Sequence, residues 1–260
     1  MKDIRELPVH NIKAVLFDID DTFSSEGKIT APAYNALWRL HDAGIATIPV
    51  TGRPAGWCDH IARMWPVTAV IGENGALYFM MRSGKMERHY IASKEERAQN
   101  AANLAKIREE IFAKHPNAGL ASDQTYREFD LAIDFCEDVP PLSKEAINDI
   151  VAIFKYHGAT VKISSIHVNG WFGQYDKLST AKIFAKRELG IDLDKDNDKF
   201  VFAGDSPNDE PMFGFFNNSV GVANVMNFAN DIKNMPKFVT KGKSGVGFEE
   251  LANIILNGQK

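Results

Sequence analysis

The chain of 260 residues is 45% hydrophobic and 25% charged, an ordinary globular composition with room for one large domain or two moderate ones. Its formal net charge of −4 is too small for an acidic tail and the wrong sign for a general nucleic-acid binder. No apolar run can span a bilayer, "MKDIRELPVHNIK" lacks a signal core, and Cys58 and Cys136 lack metal-ligand spacing; a soluble, reduced, cytoplasmic protein with no nucleic-acid or membrane partner is expected.

"KAVLFDID" reads as a buried strand, an apolar run too short for a helix. Thr30 is placed to cap the next helix, whose Tyr34, Leu37, Trp38 and Leu40 share a face before Gly44 stops it. "IATIPVT" is a second strand, "PAGWCDHIARMW" a helix entered through proline, and "TAVIG" a third strand. That alternation implies right-handed parallel crossovers and an α/β, Rossmann-like doubly wound sheet. From about Ala76 the pattern changes. "ALYFMM", "ERHYIA", "YREFDLAIDF" and "TVKISSIHV" look like antiparallel strands. Two helices interrupt them, one starting at Ser93 with Glu96 completing a capping box, the other near Ser143. Asn169-Gly170, between apolar-rich runs, predicts a hairpin turn. The α/β alternation then resumes with "KLSTAKIFAKRELG" as helix and "KFVFAGDS" as strand. The expected organisation is a core domain of residues 1–77 and 173–260, with an α+β domain, 78–172, inserted into it.

In "AVLFDIDDT" a buried strand runs into Asp18, Asp20 and Asp21. Two carboxylates about 4 Å apart repel by about 4 kcal/mol at an effective dielectric of about 20. Either the acids splay into water at a surface turn, or a cation and a reaction hold them there. "FAGDSPND" repeats the design with Asp205, Asn208 and Asp209. Parallel α/β sheets gather their ligands at such strand ends, and oxygen-rich clusters suit Mg²⁺. In "VTGRP", Thr51 offers a hydroxyl, and the N–H groups of Thr51 and Gly52 can approach an anion where a helix begins. Lys177 stands at a helix entry as a fixed positive charge. A metal site beside a phosphate cradle is what phosphoryl transfer requires.

These motifs resemble those of the haloacid dehalogenase superfamily of phosphatases. Subfamily IIB is the nearest group, with its Cof-type sugar phosphatases, sucrose-phosphate and mannosyl-3-phosphoglycerate phosphatases and phosphomannomutases. Asp18, Asp20 and Thr22 match "DxDxT", Thr51 the second motif, Lys177 the third, and Asp205 through Asp209 "GDxxND". "ENGA" at 73–76 matches the junction into a cap, and Gly245-Val246 a late turn. Asp21 stands where glycine is common and Phe23 where leucine is usual.

The resemblance implies that Asp18 is the nucleophile forming an aspartyl-phosphate, and that Asp20 is the general acid and then the base. It implies Mg²⁺ held by Asp18, the backbone carbonyl of Asp20, and Asp205. Thr51, Gly52 and Lys177 would hold phosphate oxygens, with Asn208 beside them; Asn208 and Asp209 would support the metal site and orient Lys177. The inserted domain lies where a type IIB cap lies, and a cap chooses the leaving group. His167, Trp171 and Tyr175 are its candidates, with Arg127 and Glu128 on a neighbouring strand. The expected substrate is a small phosphorylated metabolite, foremost a sugar phosphate. A phosphomannomutase-like mutase uses the same aspartate chemistry, and a non-catalytic metal or phosphometabolite binder is the third reading.

Overall fold

Ala14–Phe17 is buried at every residue and pairs in parallel with Ala46–Pro49 on one side and Phe200–Gly204 on the other. In the computed structural model, which describes residues 1–164 and 166–258, this strand belongs to a six-stranded sheet. The order is Lys2–Asp3, Phe238–Val239, Asn218–Gly221, Phe200–Gly204, Ala14–Phe17, Ala46–Pro49, with every neighbouring pair parallel. Alternate side chains serve opposite faces. Val15 and Phe17 pack with Leu37, Leu40, Phe248 and Leu251 from the helices Ala31–Asp42 and Ser244–Gly258. Ala14 and Leu16 pack with Ala181, Phe184, Met212 and Phe213 from the helices Lys177–Phe184 and Glu210–Phe215. Each fully buried side chain of this size contributes about 1.5–3 kcal/mol. Burial on both faces explains why the strands read as unbroken apolar runs, and it makes the sheet doubly wound.

The chain gathers into two units. Met1–Gly52, Cys58–His89 and Asp176–Lys260 form the first, Arg53–Trp57 and Tyr90–Tyr175 the second. The second holds an antiparallel sheet in the order Gly119–Leu120, Asp130–Asp134, His167–Trp171, Thr160–Ile163. Leu131, Ile133, Val161 and Val168 lie on the face packed against the helices Lys94–Lys114 and Lys144–Tyr156. Both helices start as expected: Ser93 and Glu96 bond reciprocally at 2.8 and 3.2 Å, and the Ser143 hydroxyl accepts from the Ala146 N–H.

Asn169-Gly170 is not a turn. Both residues lie inside His167–Trp171, facing Ala132 and Leu131 across the ladder. A Cβ at position 170 would stand 2.1 Å from the Phe154 ring, so glycine admits a close helix-to-strand contact there. The single run expected over "TVKISSIHV" is two strands, with Ile163 paired to Val168; Ser165 between them lies outside the described residues. Among the described residues no helix is long and apolar enough to cross a membrane.

Asp21 has φ +55°, the left-handed region that glycine enters freely. Aspartate tolerates it better than most residues because its short polar side chain bonds locally. We expect Asp21→Gly to leave thermal stability near wild type and Asp21→Val to lower it by about 1–2 kcal/mol. Chemical denaturation measures both, and equal stability of the two variants would show that this conformation carries no strain.

Candidate active site

The carboxyl ends of three adjacent strands are level. The Asp18 N–H donates to the Ala203 carbonyl at 2.9 Å, and the Val50 N–H to the Phe17 carbonyl at 2.8 Å. Asp18 and Asp205 directly follow their strands and Thr51 lies two residues beyond Pro49; all three are buried. Asp209 reaches them from the short turn Pro207–Asp209. Its Oδ2 accepts the Asp205 N–H at 3.1 Å and lies 2.4 Å from where a Cβ of residue 204 would be. Gly204 therefore lets this carboxylate approach the backbone.

Lys177 opens its helix behind the cap residue Asp176, which bonds reciprocally with Ser179 at 2.7 and 2.9 Å. The helix is seated on "ENGA". Gly75, at φ +106°, passes so close to the Asp176 carbonyl that a Cβ would lie 2.2 Å from it. The Thr180 hydroxyl donates to the Gly75 carbonyl at 2.5 Å. So held, the Lys177 ammonium donates to Asp18 Oδ1 at 2.6 Å and Asp209 Oδ1 at 2.8 Å, and all three side chains are buried.

Asp18, Asp205 and Asp209 each offer a carboxylate oxygen, all within 4.8 Å of one another. Burial pushes Asp18 up to about 7; Lys177 pulls against it, while the Asp209 and Asp20 charges add to it. Burial likewise pushes Asp205 up to about 8, with Asp209, Asp18 and Asp21 adding repulsion. For Lys177 burial works against the charge, yet Asp18 and Asp209 outweigh it and hold the ammonium above its ordinary value. The three acids are buried and do not splay into water, and one ammonium does not balance them once all three ionise. An all-oxygen donor set with excess negative charge fits Mg²⁺.

The sequence-predicted residues do not all gather in the expected way. Asp209, expected only as support, contributes an oxygen to the acidic cluster itself. Asp20 lies in the turn beyond the strand, half-buried, with its side chain outside that group. The Thr51 N–H donates to the Ile71 carbonyl at 2.9 Å and is not offered to an anion, so Thr51 is left to act through its hydroxyl. Gly52 lies against Asn74, whose Oδ1 is 3.3 Å from the position of a Cβ. Asn208 Oδ1 accepts the Ser206 hydroxyl at 2.9 Å, inside its own turn. His167, Trp171 and Tyr175 belong to the second unit and are buried. His167 Nε2 is 2.9 Å from a Glu137 carboxylate oxygen, and the Trp171 and Tyr175 rings stack at 6.0 Å. Gly204 reads in the sequence only as the glycine of "GDxxND" and not as what admits Asp209, and Asn224, which bonds Asp205 from a distant segment, escaped the sequence reading.

Residues 15–134 match the family model for haloacid dehalogenase-like hydrolases. A phosphoglycolate phosphatase of Pyrobaculum neutrophilum is 28% identical over 250 residues, covering 95% of this chain and 96% of its own length. A solved structure from Thermoplasma acidophilum is similar with a TM-score of 0.75 at 18% identity, over 95% of this chain and 99% of that one. The sucrose-phosphatase of Synechocystis, solved with sucrose and phosphate, gives 0.65 at 14% identity, over 94% and 98%.

Proposed function

We propose, from the family match over residues 15–134 and the full-length similarity to phosphoglycolate phosphatases, that the chain is a haloacid dehalogenase-like phosphatase and hydrolyses a sugar phosphate, using Mg²⁺ and a phosphate ester of Asp18. The observation that carries the reading is the buried group of Asp18, Asp205 and Asp209 with the Lys177 ammonium 2.6 Å from Asp18. In this reading an Asp18 oxygen bonds to phosphorus as the bond to the leaving oxygen breaks, and Asp20 gives that oxygen its proton. Asp20 then takes a proton from the water that attacks the aspartyl-phosphate, releasing phosphate and restoring Asp18. Lys177, the Thr51 hydroxyl and the Gly52 N–H receive phosphoryl oxygens, with Asn208 beside them. Asp18, the Asp20 carbonyl and Asp205 would hold Mg²⁺, with Asp209 in support; when bound it neutralises charge on the phosphoryl oxygens.

Leaving-group selection is assigned to the inserted domain, with His167, Trp171 and Tyr175 as the candidate readers. Two polar atoms on its sheet support a hydroxylated leaving group. Trp171 Nε1 and Asn169 Oδ1 are buried without a hydrogen-bond partner among the described residues. They sit two residues apart on one strand and so face the same way. A buried polar group left unpaired costs about 1–3 kcal/mol, and a sugar hydroxyl can donate to one and accept from the other. The sucrose ligand of the Synechocystis neighbour is consistent with that chemistry. The name shared by two Pyrobaculum relatives gives phosphoglycolate as the rival substrate.

A panel of phosphorylated metabolites with Mg²⁺ and phosphate detection tests the reading. We expect phosphate release without any sugar bisphosphate, with the highest kcat/KM on a sugar phosphate. Trp171→Phe should lower kcat/KM unequally among sugar phosphates and leave a generic aryl phosphate nearly unchanged. Phosphoglycolate as best substrate would remove the sugar assignment. A bisphosphate requirement would make the protein a mutase, and no turnover on any compound a binding protein.

A further inference from the structure

Asn224 follows the strand Asn218–Gly221 in the first unit and uses every hydrogen-bonding group of its side-chain amide. Its Nδ2 donates to Asp205 Oδ2 at 3.1 Å and to the Asp21 carbonyl at 2.9 Å. Its Oδ1 accepts the Ser244 N–H at 2.9 Å. These partners settle the orientation of the amide, since two acceptors face the NH₂ and one donor faces the oxygen. Three segments distant in sequence meet here: the loop after Ala14–Phe17, the end of Phe200–Gly204, and the start of the helix Ser244–Gly258.

The same meeting point explains the late Gly245-Val246 turn. The Gly245 N–H donates to the Ser25 hydroxyl at 3.2 Å, and a Cβ on Gly245 would stand 2.8 Å from the Phe23 carbonyl. The final helix thus starts directly against the first acidic loop. Asp205 is gripped from both sides, because the Thr22 hydroxyl donates to Oδ1 at 3.2 Å while Asn224 takes Oδ2. One donor on each oxygen fixes the plane of the carboxylate. The nearby charges of Asp209, Asp18 and Asp21 repel it.

We propose that Asn224 is a positioning residue that sets the Asp205 carboxylate for the divalent cation and ties that setting to the first acidic loop and the final helix. The inference rests on the Mg²⁺ reading above. Partners that orient a ligating carboxylate typically change metal affinity or activity about 10- to 100-fold when lost. A purely structural tether behaves differently: its loss lowers the melting temperature and leaves metal affinity alone.

The test is Mg²⁺ titration of the whole protein, read by calorimetry and by the rise in melting temperature, with kcat measured beside it. Asn224→Ala is expected to raise the Mg²⁺ midpoint about 10- to 100-fold while kcat at saturating Mg²⁺ stays within a few-fold of wild type. Asn224→Asp retains the acceptor for the Ser244 N–H and loses both donations, so it should not restore the midpoint. Thr22→Val, which removes the donor on the other oxygen, should shift the midpoint in the same direction. A wild-type midpoint in Asn224→Ala, whatever its melting temperature, overturns the inference alone, as does full restoration by Asn224→Asp. A wild-type protein with no Mg²⁺ response would overturn the metal reading, and the inference with it.

Discussion

Asp18→Asn is expected to abolish phosphate release to the limit of detection and to leave the protein folded. The amide is isosteric with the carboxylate but cannot act as the nucleophile, so no covalent ester forms. Stability is the second half of the expectation. Burial, with the charges of Asp209 and Asp20, pushes Asp18 up to about 7, so at pH 8 without metal the site holds a carboxylate that its surroundings disfavour. Asparagine removes that charge, and Lys177 keeps Asp209 as a partner at 2.8 Å. The melting temperature in metal-free buffer should therefore equal or exceed that of wild type. Asp20→Asn makes the contrast, because losing proton transfer costs about 10²–10⁴-fold rather than everything. Phosphate release by purified Asp18→Asn at the rate of the Asp20 variant would refute the division of labour between the two acids. A large fall in its metal-free melting temperature would instead show that the Asp18–Lys177 contact supports the fold.

Asp18, Asp205 and Lys177 were legible in the sequence because each lies at the end of a strongly apolar strand or the start of a well-capped helix. Such ends are anchored by burial, and the parallel topology brings them to one edge of the sheet. Details set by contacts between distant segments were not legible. Asn169-Gly170 carries a strong local turn signal, yet the Phe154 ring packed against Gly170 keeps the segment in its strand. The Thr51 N–H looked available for an anion, but the bridge between Val50 and Ile71 brings the Ile71 carbonyl to it. Asp209 enters the acidic cluster because Gly204 has no side chain in its way, and the sequence motif does not say which carboxylate comes nearest. Asn224 is the extreme case. Its three partners come from three separate segments, and no local pattern announces it.

Withdrawing divalent metal with EDTA is expected to stop turnover, and added Mg²⁺ to restore it. The same site should make the metal's effect on stability depend on pH. In the metal-free protein Asp18 stands at about 7 and Asp205 at about 8, both raised from 3.8, chiefly by burial. A carboxyl raised on folding keeps a proton that the unfolded chain has released, so its contribution favours the fold at low pH and is lost as pH rises through the folded value. Metal-free stability should accordingly fall as pH rises from 6 to about 8 and level off above it, where both groups are ionised in the folded and unfolded chain alike. Mg²⁺ replaces those protons with a cation, so the rise in melting temperature that it produces should grow across the same range. Asp21 is raised as well, by burial and then by the charge of Asp20, and acts in the same direction, while the lowered carboxylates do not obscure the window. Burial pushes Asp134 up, but the backbone N–H groups of Glu137, Asp138 and Cys136 outweigh it and hold it below its ordinary value. Burial also raises Glu188, and the hydrogen bonds from Tyr78 and Arg82 more than offset it. Asp59 is lowered first by its hydrogen bond from Arg63. All three contribute above their unfolded values and lose that contribution only in acid, well below pH 6. Melting curves at pH 6, 7, 8 and 9, in EDTA and in Mg²⁺, make the comparison. A Mg²⁺ effect of constant size across that range would mean that the cation binds without displacing protons from Asp18 and Asp205, and full turnover in EDTA would remove the metal from the reaction.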